Sequence, residues 1–341
     1  MSFFLLALSL LVLTALLSLL GRRANDLTIR AAPLGTMLAS IAGLYPAVQV
    51  LASGQALTFY APWSLPGAAF HLVIDPLAAF FLLPVFILSA LAAIYGQAYL
   101  RVAAPQRSLG VATASFNLLL LAMVLVITAH NIMLFLLAWE LMALVSFLLV
   151  MFEGAAPDVQ KAGWTYLVAM HIGTVFVIVF FLLLGHHAAS FDFNHFGPLK
   201  QLPLNLAGLA FILAWVGFGT KAGFVPMHVW LPEAHPAAPS HVSAVMSGVM
   251  IKTGIYGLLR ALTFLPAPPA WWGWSLIISG LLSGLFGVLY ALTQPDIKRL
   301  MAYQSVENIG IITLAFGCAL LVFTYGSLPV AVLGLTGALL Q

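Results

Sequence analysis

Apolar stretches of close to twenty residues recur along the whole chain, separated by short polar or proline- and glycine-rich breaks. A helix of that length crosses the ~30 Å hydrocarbon core of a bilayer. The pattern predicts spans over 3–20, 31–52, 77–99, 110–129, 131–151, 163–185, 205–231, 239–262, 272–292 and 300–323. An eleventh begins near Leu328 and stops at Gln341. The seventh span is expected to be broken near Ala222–Pro226. Proline lacks the N–H and clashes with the carbonyl one turn back, so Pro226 cannot continue the helix that carries Lys221. An unwound turn at membrane depth is tolerated only where protein or a water-filled cavity satisfies its backbone.

The longest connectors, 53–75 and 186–204, are rich in Pro, Gly, Ser and aromatic residues. They read as ordered caps at the membrane interface. The first span carries Arg22-Arg23 after its apolar run and no small-residue cleavage site follows, so it reads as a retained anchor. The ninth span places Ser275, Ser279 and Ser283 at four-residue spacing, with Gly280 and Gly284 as GxxxG. Small residues let helices approach closely in lipid, and this stripe is read as packing alone.

Composition settles the class. The chain is 63% hydrophobic and 6% charged, with a mean hydropathy of +1.11. A soluble domain carries roughly 25% charged residues, so the pattern is that of an all-α polytopic helical bundle. The net charge of +3 comes from scattered basic residues, mostly at helix ends, and does not signal nucleic acid. With the N-terminus outside, inner loops hold Arg22, Arg23, Arg30, Arg101, Arg107, Lys161, Lys298 and Arg299, against Lys200 and Arg260 outside. That asymmetry predicts an N-outside topology. The single cysteine, Cys318, excludes an internal disulfide, and no CxxC, HExxH or Cys/His cluster is present. Fe–S, haem and zinc lack plausible ligands; no cofactor or metal is expected, and coupled redox chemistry would fall to a partner.

The candidate chemistry lies in charges stranded inside spans. Glu140 is halfway along the fifth span, and Lys221 and Lys252 lie in the seventh and eighth. A charge at the bilayer centre costs ~2.5–3.5 kcal/mol even on the lenient insertion scale. Glu140 paired with Lys221 would reduce that cost, and the two would titrate as a coupled, proton-exchanging system. Lys252 and His241 are eleven residues apart, roughly 16 Å along one face if the helix is regular. Ser243, Ser247 and Tyr256 add hydroxyls for a water-assisted relay. His228, beside the break, and Glu307 complete the candidates. Each has a bland rival: a register-fixing ion pair for Glu140–Lys221, a snorkelling ammonium for Lys252, and structural hydrogen bonding or capping for His228, His241 and Glu307. His171 is expected to be a satisfied core histidine, and His186 and His187 a solvated helix end. Gly217, Gly219 and Gly223 have the wrong spacing and context for a dinucleotide fingerprint; they are expected to thin the helix beside its break.

The motifs Trp139-Glu140-Leu141-Met142, GTKAGFVPMHVWLPEAHPAAPS (219–240), MIKTGIYGLLR (250–260) and DIKRLMAYQSVENIGII (296–312) resemble the antiporter-like subunits of respiratory complex I and membrane-bound hydrogenases. The SVENIG form is most similar to the hydrogenase-4 and formate hydrogenlyase branch. The resemblance runs from about residue 70 to the end. It implies about fourteen helices with two inverted five-helix repeats, each containing one broken helix. On that template 1–109 holds N-terminal helices, 110–262 the first repeat, and 263–341 the start of a second, incomplete one. It assigns Glu140, Lys221 and Lys252 to the family's carboxylate and two lysines, and Glu307 to a loose repeat counterpart of Glu140. It also implies the bacterial cytoplasmic membrane and membrane subunits of a hydrogenase- or complex I-like assembly as partners. The chain stops inside its eleventh span, so a fragment is expected. Three functions compete: a proton-conducting subunit of a redox complex, a cation/proton antiporter subunit without a redox partner, and a non-transporting membrane anchor.

Overall fold

The structure is a computed structural model that describes residues 1–20, 25–103, 109–154 and 156–341. Arg22, Arg23 and Arg107, on which the loop-charge asymmetry partly rests, lie outside the described residues. Among the described residues ten helices are long and apolar enough to cross a membrane. The chain is thus a multi-pass helical membrane protein, as the apolar pattern predicts. Its residues group into two compact units.

The first unit comprises Met1–Gly163, Ser190–His195 and Ala237–Thr253. It contains α1 (Ser2–Leu20), α2 (Asn25–Ser53), α3 (Pro76–Ala103), α4 (Leu109–Thr128) and α5 (Ile132–Val150). The short helix α9 (Ser240–Val245) and a π-helical turn, Met246–Met250, also belong to it. Helix α4 is buried along most of its length. It packs against α1 and α5, and α2 packs against α1 and α3. Asn131 starts α5 by accepting from Met133 N–H at 3.0 Å, a cap typically worth ~1 kcal/mol.

Hydropathy gave no sign of one feature. An antiparallel hairpin, β1 (Leu57–Pro62) with β2 (Ala69–Ile74), orders the first connector. His71 on β2 bonds Asp192 through Nδ1 and Oδ2 at 2.6 Å. Asn131 donates to the Gly67 carbonyl at 2.9 Å. Ile132 and Phe193 donate their N–H groups to Phe191 and His130. These bonds tie 190–195 to the hairpin and make an ordered cap.

The second unit comprises Trp164–Ala189, Phe196–Pro236 and Gly254–Gln341. It holds most of α6 (Pro157–Ala188), then α7 (Leu204–Ala222), most of α8 (Leu231–Ala237), most of α10 (Lys252–Phe264), α11 (Ala270–Ala291), α12 (Ile297–Thr324) and α13 (Leu328–Leu340). Helices α11 and α12 meet along glycines. A Cβ on Gly273 would lie 3.0 Å from Gly317 O, and one on Gly287 would lie 2.7 Å from Glu307 N. The backbones approach because no side chain intervenes. The Gly197–Gln201 turn precedes α7, and its Lys200 ammonium donates to Leu265 O at 3.1 Å. Partial burial, which strips water from the ammonium, holds the Lys200 pKa below the ordinary lysine value.

Candidate functional site

The break in α7 falls where Pro226 requires it. The helix ends at Ala222, Gly223 takes the left-handed conformation at φ 80°, and a tight linker leads to α8. Ending a helix inside the protein orphans backbone groups, and each must find a partner. Gly223 N–H returns to Gly219 O at 2.8 Å. The Thr220 carbonyl accepts from the Trp230 indole N–H at 2.8 Å. Val225 N–H donates to Ser283 Oγ at 2.8 Å. Met227 and Leu231 N–H groups close turns onto Phe224 and His228 carbonyls. Ser283, read from sequence as packing only, therefore supports the break from α11.

Lys221 occupies the last turn of α7 and is 2% exposed. Its Nζ donates to Tyr166 Oη at 3.3 Å. Tyr166 is fully buried, with its ring edge-to-face against Trp230 at 5.2 Å between centroids. The C-terminal end of a helix carries partial negative charge, so an ammonium there is stabilised by up to ~2 kcal/mol in a partly buried setting. The break thus gives the lysine a hydroxyl partner and a favourable dipole. Gly217 lets α7 approach α6 closely, since a Cβ there would lie 3.0 Å from Val177 N.

Beyond the break, His228 is half-buried and lines a cleft of ≈ 390 Å³ with Pro226, Glu233, Tyr290 and Tyr303. At its edge Arg299 Nη2 contacts both carboxylate oxygens of Glu233 at 3.2 Å. Lys298 Nζ donates to Pro236 O at 3.3 Å. The second unit therefore gathers Lys221, Tyr166 and Trp230 at the break, and His228 with Glu233, Tyr290 and Tyr303 around the cleft. Glu307 is half-buried on α12, with Gly287 against its backbone.

In the first unit, Glu140 is half-buried near the middle of α5, as expected. Lys252 is half-buried and immediately follows the π turn, in which Ile251 N–H bonds Met246 O. Thr253 Oγ1 reaches Met142 Sδ at 3.7 Å and Ser146 Oγ reaches Met250 Sδ at 3.1 Å. These contacts pack the π turn and the start of α10 on the stretch of α5 just past Glu140. The shared face expected for His241 and Lys252 assumed a regular helix. The π turn takes up an extra residue and swings Lys252 off the His241 face by about 100°. His241 itself is 4% exposed, and α9 starts at an N-cap Pro239 with no side-chain cap bond, so His241 does not cap it.

Two further expectations need correction. His171 is exposed on α6, with Nδ1 bonded to Leu167 O at 2.9 Å, and is not a core histidine. Arg260, counted with an outer loop, is buried within α10. The Tyr256 hydroxyl accepts from Arg260 Nη2 at 3.0 Å and Nε at 3.2 Å. Tyr166 and Trp230 were missed altogether. The available signal was a hydroxyl and an indole N–H in apolar surroundings, each needing a partner.

Residues 129–336 match the family model for the NADH:quinone oxidoreductase/Mrp antiporter transmembrane domain. Hydrogenase-4 component B of Escherichia coli is 38% identical over 322 residues, covering 92% of this chain and 47% of that protein. Formate hydrogenlyase subunit 3 of the same organism is 32% identical over 224 residues, covering 65% of this chain and 35% of that protein. The chain thus spans less than half the length of these relatives. A chain of the Mrp complex from Dietzia sp. superposes with a TM-score of 0.81 at 23% identity, over 98% of this chain and 37% of that one, a likeness of fold. With more than half of its length matched by the model, the chain belongs to the NADH:quinone oxidoreductase/Mrp antiporter transmembrane family.

Proposed function

We propose that this chain serves in a membrane subunit that conducts protons through buried lysine and carboxylate side chains, coupled to electron transfer in partner subunits of a hydrogenase- or NADH dehydrogenase-like complex. One observation carries the reading: Lys221 is buried in the last turn of a helix that breaks directly after it, with Tyr166 Oη at 3.3 Å. A lysine held that way can switch between its ammonium and amine forms when a nearby charge moves, because burial favours the neutral form and an approaching carboxylate favours the cation. Glu140 is assigned as that carboxylate, on the sequence and the family resemblance. His228 and its cleft supply water to the break. Lys252 and His241 continue the route along α9 and α10, and Glu307 serves as the counterpart carboxylate on α12. In this reading the N-terminus lies outside a bacterial cytoplasmic membrane. The repeat organisation, 110–262 followed by the start of a second repeat at 263, belongs to the same reading.

The test is Lys221→Ala in the full-length protein within its complex, reconstituted in vesicles with a pH-sensitive dye. Proton transport is expected to vanish while assembly and electron transfer persist. A normal proton-to-electron ratio in that variant overturns the proposal. A second reading, a cation/proton antiporter subunit, draws on the likeness of fold to the Mrp complex. Sodium-dependent pH changes in vesicles without a redox partner would favour it. Full function after joint replacement of Glu140 and Lys221 by apolar residues would instead favour a plain anchor.

A further inference from the structure

His241 poses an accounting problem in the first unit. Its side chain is buried, and its Nδ1 has no hydrogen-bond partner among the described residues. Buried polar atoms without a protein partner are rare, and ordered water commonly satisfies them. The ring forms part of the wall of a recess of ≈ 30 Å³. That space accommodates a single water.

The same recess is lined by Thr36, Gln97 and Thr113 from α2, α3 and α4. The Thr36 hydroxyl lies 3.0 Å from Ala32 O and 2.9 Å from Asn117 Oδ1. The Thr113 hydroxyl donates to Leu109 O at 2.7 Å. Each hydroxyl oxygen still has lone pairs to accept from a water, and the Gln97 amide can donate or accept. A water needs two to four polar partners, and His241 with these three residues provides them.

The imidazole is held in place on several sides. Tyr99 and Phe116 flank it, with ring centroids at 5.9 and 5.5 Å. Gly96 lies beneath it, and a Cβ there would come within 2.8 Å of the ring. An aromatic or aliphatic side chain at 241 would fill this niche with less cost in desolvation. A histidine with one nitrogen left for water is the arrangement that a proton carrier requires.

We propose that His241, Thr36, Gln97 and Thr113 bind one ordered water, and that this water and the imidazole form a proton station in the first unit. An excess proton arriving on the water is taken up at the free Nδ1, leaving neutral water and an imidazolium. Release of that proton to the water regenerates the neutral imidazole and passes the excess proton on, so nothing is consumed. The water site stands on geometry alone. Its relay role rests on the proton-conducting reading above.

The experiment uses the full-length protein in its assembled complex. A map that resolves ordered waters is expected to show density within hydrogen-bond distance of His241 Nδ1. In His241→Phe that density should be absent. His241→Gln should keep the water, because its amide still offers a polar end, but it cannot carry the proton. Both variants should slow proton transport roughly tenfold, the effect of losing one link of hydrogen-bond strength. A dry recess in the unmodified protein overturns the site. A hydrated recess with transport at the unmodified rate in both variants overturns the station. Lys221→Ala is measured alongside: its loss of transport, with His241→Phe unaffected, sinks this inference alone. Normal transport in Lys221→Ala sinks the parent reading, and the map still decides the water site.

Discussion

Two helix irregularities sit beside the two intramembrane lysines, and they differ in kind. After Lys221 the helix ends: Gly223 turns left-handed, the Thr220 carbonyl accepts from the Trp230 indole, and Val225 N–H donates to the Ser283 hydroxyl. Before Lys252 the helix does not end. The π turn at Met246–Met250 inserts an extra residue, and the stretch Ser240–Phe264 continues as one apolar span. A terminus offers a dipole end and free carbonyls, which favour a cation. A π turn offers neither; it re-aims whatever follows, and such turns are frequent at functional sites. The same residue type is thus placed by two devices, one electrostatic and one rotational.

A matched pair of glycine substitutions breaks the comparison most sharply. Gly223→Val meets a φ of 80° and the Leu231 side chain. It should cost at least ~2 kcal/mol and sharply reduce the yield of folded full-length protein. Gly248→Ala in the π turn meets only the far end of the flexible Leu88 side chain, and should shift thermal unfolding little. Equal losses from the two would show that the break is no more demanding than the π turn.

Deleting one residue within Met246–Met250 should restore α-helical register and turn Lys252 by about 100° relative to its surroundings. Transport in the complex is expected to fall to background while the protein still assembles. Unchanged transport would show that the π turn has no part in aiming Lys252.

Ser283→Ala removes the acceptor for Val225 N–H and should cost ~1–3 kcal/mol. Ser279→Ala is the control, because that hydroxyl donates only to Leu276 O of its own helix. Thermal unfolding of the two variants side by side decides whether α11 supports the break or merely packs.

The smallest effect is expected from Glu233→Gln. The Glu233–Arg299 pair is partly exposed, at 30% and 43% of the side chains, and such pairs contribute ~0–1 kcal/mol. A large loss of stability would mean that the cleft beyond the break depends on this ion pair.

Much of this was legible from residue order, and the reason is specific. In lipid a backbone must satisfy itself within a helix, so twenty-residue apolar runs report spans directly, and Pro226 reports a break without any tertiary knowledge. Where a hydroxyl or imidazole points was not legible. Ser283 and Ser279 share one stripe, yet only Ser283 reaches the break. His171 and His241 are both histidines in apolar spans, yet one faces outward and the other is sealed in. The π turn has no proline to announce it, so the expected alignment of His241 with Lys252 failed.

The order of residues by itself determined the class, the spans and the position of the break, because each depends on local hydropathy and backbone chemistry. Only the tertiary structure decided which partners those groups take: Tyr166 for Lys221, Ser283 for Val225, and an open recess beside His241. Partner choice depends on the rotation and spacing of helices far apart in the chain, and small differences in side-chain size at contacts such as those of Gly96 and Gly217 set both.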